Sequence, residues 1–153
     1  MKRIIALWHS GNKGKTRTLI ELGNLLLSDE SCIIVESLVG KNDKLPENKD
    51  FILIVKLYDK VIVGIDSVGD PGCNLKNRLK EMIDKHNVEY LFCATRTRGE
   101  TVSDVYDISN ARDYEILWTS TYHSDSETDI DFFNKLKAKH LFDLLIELIN
   151  QTK

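Results

Sequence analysis

The run Ile4-Ile-Ala-Leu-Trp8 contains no polar residue, and a strand of that kind has to be covered on both faces. This requirement constrains the fold more than any other feature. It predicts a central strand of a largely parallel sheet with helices above and below. The rest of the chain supplies those partners in alternation. After a turn containing Gly11 and Gly14, Leu19, Ile20, Leu22, Leu25, Leu26 and Leu27 take helical spacing from Thr16 to about Ser28. Cys32 to Leu38 reads as a short strand with Glu36 near its end, and 40–50 as an exposed loop containing Gly, Pro and Asn. Phe51–Val55 and Val61–Ile65, joined through the polar spacer Tyr58-Asp59-Lys60, predict an antiparallel hairpin. A helix from Leu75 to near His86, a strand over 88–94, a short helix over 102–111 and a strand over 114–120 follow. An amphipathic helix from about Asp129 to Ile149 closes the chain, led by an acidic, Ser/Thr-rich approach suited to capping. The expected fold is α/β: one three-layer α/β/α domain over 1–153, its sheet mostly parallel with one antiparallel hairpin strand.

Composition narrows the class. With 153 residues, 42% hydrophobic and 29% charged, the chain suits one globular domain with a substantial core. A net charge of −3 gives no global reason to expect nucleic acid or an anionic membrane as partner. The three cysteines form no CxxC pair, and Cys32 and Cys93 lie inside apolar runs, which predicts buried thiols in a reducing cytoplasm. No apolar stretch approaches the ~18 residues of a membrane span, and the first apolar run is too short for a signal-peptide core. A cytoplasmic protein without a membrane partner is expected.

In parallel α/β sheets ligands bind beyond the C-terminal strand ends. The loop at 9–16, Glu36, Asp66–Asp70, Arg96–Arg98 and Tyr122–His123 are therefore expected on one edge. There Gly11, Asn12, Lys13, Gly14, Lys15, Thr16 and Arg17 form a glycine turn opening a helix, the layout that wraps an anionic phosphate chain with backbone N–H groups. Lys15 would reach the β- and γ-phosphates, and Thr16 would place its hydroxyl on Mg²⁺. Asp66 ends an apolar strand, where a carboxylate can hold a water of the metal; the alternative is an aspartate that simply precedes a turn. Asp70 either orients a water or an acceptor hydroxyl or is a plain turn residue before Pro71. Arg96 and Arg98 either stabilise charge on a transferring phosphoryl group or are solvated. Glu36 is an acceptor-binding acid or a surface residue, and His9 a loop-shape variant. Trp8 and Trp118 read as packing residues rather than a base-stacking platform. No Cys/His/Asp cluster has zinc spacing, and Cys93 has no evident base partner.

The loop Gly11-Asn-Lys-Gly-Lys-Thr16, the strand-ending Asp66 and the α/β alternation together resemble the P-loop NTPase superfamily over essentially the whole chain. The loop looks closest to the compact G-x-x-G-K-T form of partition-type ATPases. It departs from them at Ser10, where they carry a signature lysine, and at Glu36-Ser-Leu38, which is not D-x-D. It also departs from the general G-x-x-x-x-G-K-[ST] pattern, because His9 occupies the first glycine position. Gly64-Ile-Asp-Ser-Val-Gly-Asp70 with Cys93-Ala-Thr-Arg-Thr-Arg-Gly-Glu-Thr101 is similar to a small group of uncharacterised bacterial P-loop proteins. That resemblance implies that Asp70 and the Arg96–Thr101 stretch belong to the site. A guanine-reading [NT]-K-x-D pattern is absent at a suitable strand end, which argues against GTP specificity without establishing ATP. The implied function is Mg²⁺-dependent nucleoside-triphosphate binding with slow ATP hydrolysis. One alternative is a small-molecule or nucleotide kinase, with Arg96 and Arg98 as a lid and Glu36 or Asp70 on the acceptor. Another is a catalytically silent nucleotide-binding module that works through a protein partner or as a homodimer.

Overall fold

The computed structural model describes residues 1–9, 14–69 and 72–151. Six strands form one sheet: β1 (Arg3–Trp8), β2 (Ile33–Glu36), β3 (Ile52–Leu57), β4 (Val61–Asp66), β5 (Tyr90–Thr95) and β6 (Glu115–Thr119), in the order β2-β3-β4-β5-β1-β6. β4, β5, β1 and β6 run parallel, whereas β3 is antiparallel to both β2 and β4. The sheet is thus mostly parallel with a single reversed strand. That reversal comes from a two-residue turn in which Tyr58 and Asp59 both have positive φ and Lys60 N–H donates to Leu57 O at 3.0 Å.

Four α-helices cover the two faces: α1 (Lys15–Ser28), α2 (Leu75–His86), α3 (Glu100–Arg112) and α4 (Ile130–Gln151). The two-residue period of the strands sorts the core. Ile5, Leu7, Leu53, Val63, Ile65 and Phe92 pack under α1 and α4, while Ile4, Ala6, Ile54, Leu91 and Cys93 pack under α2 and α3. β1 and β5 are buried on both faces, which is why their sequences are continuously apolar. Among the described residues no helix is long and apolar enough to cross a membrane.

Local differences from the sequence expectation have local causes. β2 is shorter than 32–38 because the Cys32 N–H turns back to Asp29 O and a register shift between Ile34 and Glu36 breaks the ladder. α3 begins at Glu100 because Gly99, with φ +95, stops the preceding chain and starts the helix. Cys32 and Cys93 are buried thiols, and Cys73 is exposed.

Candidate functional site

The chain passes from β1 into α1 through 9–14, of which Ser10, Gly11, Asn12 and Lys13 lie outside the described residues. Gly14 adopts φ +81, and its carbonyl accepts the first helical bond from Thr18 N–H at 2.9 Å. No side chain among the described residues caps this end, and the first turn of α1 has no acidic residue. The N–H groups of the first turn therefore present partial positive charge at the sheet edge.

Lys15 is 7% exposed, and its ammonium donates to His9 O at 2.7 Å and to Thr95 O at 2.6 Å. These are the carbonyls just beyond β1 and at the end of β5, so the amine bridges two neighbouring strands. Thr16 Oγ1 lies 3.4 Å from Asp50 Oδ1, and the same carboxylate oxygen accepts from Ser67 Oγ at 3.1 Å. Ser67 is fully buried and its hydroxyl also accepts the Phe51 N–H at 2.9 Å, which fixes its position. The result is a chain of three oxygen-bearing side chains at the start of α1. Oxygen donors of this kind suit a hard cation such as Mg²⁺, which is commonly held by one or two protein groups plus phosphate and water.

Asp66 does not belong to that chain. It shares a sheet face with Gly64, whose missing Cβ would meet Met82 of α2, and it sits level with Cys93, which is level with Ala6 rather than the end of β1. Its Oδ2 accepts from Arg78 Nε at 2.7 Å and its Oδ1 from Val68 N–H at 3.0 Å, with 0% exposure. Arg78 also donates to Val68 O at 2.9 Å. Burial raises the Asp66 carboxyl above its ordinary value, Arg78 and the Val68 N–H partly offset this, and the Asp50 charge adds to the rise. One oxygen is thus engaged by Arg78 of α2 and the other by the Val68 N–H, and among the described residues no hydrogen bond joins Asp66 to Thr16. One residue further along the chain, it is the Ser67 hydroxyl that reaches Asp50.

The other expected residues are distributed as follows. Arg17 pairs with Glu21 at 3.2 Å and Glu47 at 3.7 Å, along the flank of α1. Asp70 lies outside the described residues, but Gly69 presses on β5 so closely that a Cβ would come within 2.9 Å of the Ala94 Cβ. The segment 67–69 therefore passes over the end of β5, toward β1. Arg96 is half-buried with its N–H on Thr101 Oγ1 at 2.9 Å, and Arg98 is exposed in the turn before α3. Glu36 is on the same edge but four strands from β1, about 19 Å at ~4.8 Å per strand. It lines a separate cleft with Arg78, Glu81 and Lys85.

Three residues that the sequence reading passed over shape the site: Asp50, Ser67 and Asn134. Asn134 of α4 is 3% exposed, lies 3.4 Å through Oδ1 from Thr18 Oγ1, and would be 2.6 Å from any Cβ placed on Gly14. It heads the buried stripe Ala138, Leu141, Leu145 and Leu148, and a polar residue leading an apolar stripe was the available signal. Beside it opens a cleft of about 410 Å³ lined by Gly14, Tyr122, His123, Asp125, Ile130 and Asn134. The His9 and His123 rings approach with centroids 6.0 Å apart across this mouth. Tyr122 is held from behind, its hydroxyl 2.8 Å from His140 Nδ1 and its ring under the Lys137 ammonium. Burial lowers the Lys137 amine below its ordinary value.

Among the described residues no group of three or more His, Cys, Asp and Glu side chains is arranged to hold a metal. Burial, with the Asp66 charge adding to it, pushes the Cys93 thiol far above its ordinary value, which removes it as a nucleophile. No known protein family, curated protein or solved structure matches the chain.

Proposed function

We propose that this chain is a Mg²⁺-dependent nucleoside-triphosphate-binding protein of the P-loop type, with ATP as its nucleotide and slow hydrolysis as its reaction. The observation that carries the reading is the seat of Lys15. A buried ammonium at the first turn of α1 rests on two strand-end carbonyls beside a helix N-terminus that no described side chain caps. Phosphate oxygens can replace those carbonyls as acceptors, and the positive end of the helix adds to the attraction.

In this reading Gly11, Asn12, Lys13 and Gly14 wrap the phosphates with backbone N–H groups, and Lys15 meets the β- and γ-phosphates. Thr16 and Asp50 would hold Mg²⁺, with Ser67 orienting Asp50; the bound ion neutralises charge on the phosphate oxygens. Asp66 acts at one remove, anchoring the end of β4 through Arg78 so that Ser67 is correctly placed. Asp70 orients water, and Arg96 or Arg98 meets charge that develops on the transferring group. The cleft between Gly14 and His123 takes the nucleoside end.

Calorimetry with Mg·ATP and Mg·GTP on the wild type and Lys15→Ala tests the proposal. Saturable binding lost in the variant is expected, with ATP the tighter ligand and slow ADP production in the wild type. Absence of nucleotide binding, or binding that survives in Lys15→Ala, overturns it.

A second reading, a small-molecule or nucleotide kinase, is favoured by one observation. The Arg96–Arg98 turn borders an open groove on the far side of β1 from the α1 cleft. ADP release that depends on an added acceptor would select this reading, and a flat response across nucleosides, nucleotides and common metabolites would exclude it.

A further inference from the structure

Trp8 is the last residue of β1 and shares the α3 face of the sheet with Ile4 and Ala6. On the adjacent strand β6, Trp118 is level with Ala6 and packs on Tyr106 of α3, the ring centroids 5.5 Å apart and the planes tilted by 49°. With Val102 and Thr97 these rings line a groove of about 330 Å³. Trp8 is 40% and Tyr106 49% exposed, so two of the three rings present surface to solvent instead of completing the core. Trp118 keeps the packing role expected of it, against the core under α2 and α3, whereas Trp8 stands more open and walls the groove.

Basic residues adjoin the groove's lining in the sequence. Thr97 lies between Arg96 and Arg98 in sequence, and Arg98 is exposed with no hydrogen bond or ion pair to the described residues. The groove ends where the 9–14 loop begins, because His9 follows Trp8 directly. Flat aromatic walls, with an exposed arginine one residue along the chain from the lining Thr97, suit a ligand that is planar at one end and anionic at the other.

We infer that this groove binds a nucleoside monophosphate, with its base against Trp8, Trp118 and Tyr106 and its phosphate at Arg98. The site is separate from the triphosphate cleft, which opens on the α1 and α4 side of the sheet. The inference deepens the kinase reading by naming the acceptor class, and it rests on that reading only for the use made of the bound ligand, not for the binding itself.

Both tryptophans of the chain line this groove, so intrinsic fluorescence reports on it, and the Lys15→Ala comparison removes any contribution from the triphosphate cleft. Titration with AMP, GMP, CMP and UMP is expected to give a saturable change in tryptophan emission with at least one of them, in the sub-millimolar range. Ribose 5-phosphate and inorganic phosphate should give none. Tyr106→Ala should weaken the response between about 5- and 150-fold, the range that loss of one stacking ring produces. Tyr106→Phe should retain it, and Arg98→Ala should weaken the monophosphate while leaving the parent nucleoside unchanged. Both positions are exposed, so circular dichroism should show all three variants folded. Lys15→Ala should keep the response, which separates this site from the triphosphate cleft: loss of Mg·ATP binding with the monophosphate response intact defeats only the cleft. Equal responses to ribose 5-phosphate and to the nucleotides would overturn the inference. So would no response to any monophosphate, or sedimentation showing the groove closed by a second copy of the chain.

Discussion

Two aspartates separate anchoring from binding at the scale of single residues. Asp50 touches Thr16 and Ser67 at the start of α1, whereas Asp66 is spent on Arg78 under α2. Asp50→Asn is expected to weaken Mg·ATP at least tenfold with little change in melting temperature, as read by calorimetry in the presence and absence of Mg²⁺. Asp66→Asn should do the reverse. The change is read in denaturant unfolding, with nucleotide affinity altered less than about threefold. If Asp66→Asn abolishes Mg²⁺-dependent binding in a folded protein, the assignment of the metal to Asp50 fails. The raised Asp66 carboxyl adds a pH signature. Its folded value lies above the ~3.9 of an unfolded aspartate, so the native state holds the extra proton in between. The stability linked to that proton is present below the unfolded value and is lost as pH rises through the folded one. Wild type minus Asp66→Asn, compared by denaturant unfolding, should therefore grow as pH falls toward about 4.

Among elements, the contact between α1 and α4 converts a glycine into a fixed point. Gly14→Ala meets both the φ of +81 and a Cβ 2.6 Å from Asn134 Oδ1. We expect a loss of about 2 kcal/mol in denaturant unfolding and weaker Mg·ATP binding. Adding Asn134→Ala should return the steric part and leave the backbone part, about 1 kcal/mol. The β3–β4 turn offers the opposite experiment. Tyr58→Asn with Asp59→Gly supplies the residues that favour positive φ at both positions, and should raise stability by about 1 kcal/mol in the same assay. These elements also show what the sequence could and could not convey. Strand and helix identity followed from periodicity in β1, α1, α2 and β5, and the hairpin from its three-residue polar spacer. The face on which a polar strand-end residue lies did not follow, because a one-residue change of register exchanges Asp66 for Ser67. Asp50 was hidden for a related reason. An antiparallel strand starts at the edge where its parallel neighbours end, so a residue that reads as the end of a loop is carried to the site. Arg78 and Asn134 needed the packing of helices on the sheet, which no local pattern carries.

For the whole molecule, ligand binding and stability are one equilibrium. A ligand at 100 times its dissociation constant stabilises the native state by about 2.7 kcal/mol. For a domain of this size that is a rise of about 5–10 °C in melting temperature, expected with Mg·ATP and absent in Lys15→Ala by differential scanning fluorimetry. The sheet transmits this effect because Lys15 ties the ends of β1 and β5, two neighbouring strands inside the sheet.

The contact between Gly14 and Asn134 also bears on biosynthesis. Gly14, which opens α1, is synthesised well before Asn134 of α4, the side chain that lies against it. Until that helix has emerged and docked, the nascent chain has strands and an exposed apolar face of α1 without a finished cleft beside Gly14. Under the proposed function, nucleotide capture would follow the docking of α4, and ATP would favour molecules in which that helix is in place.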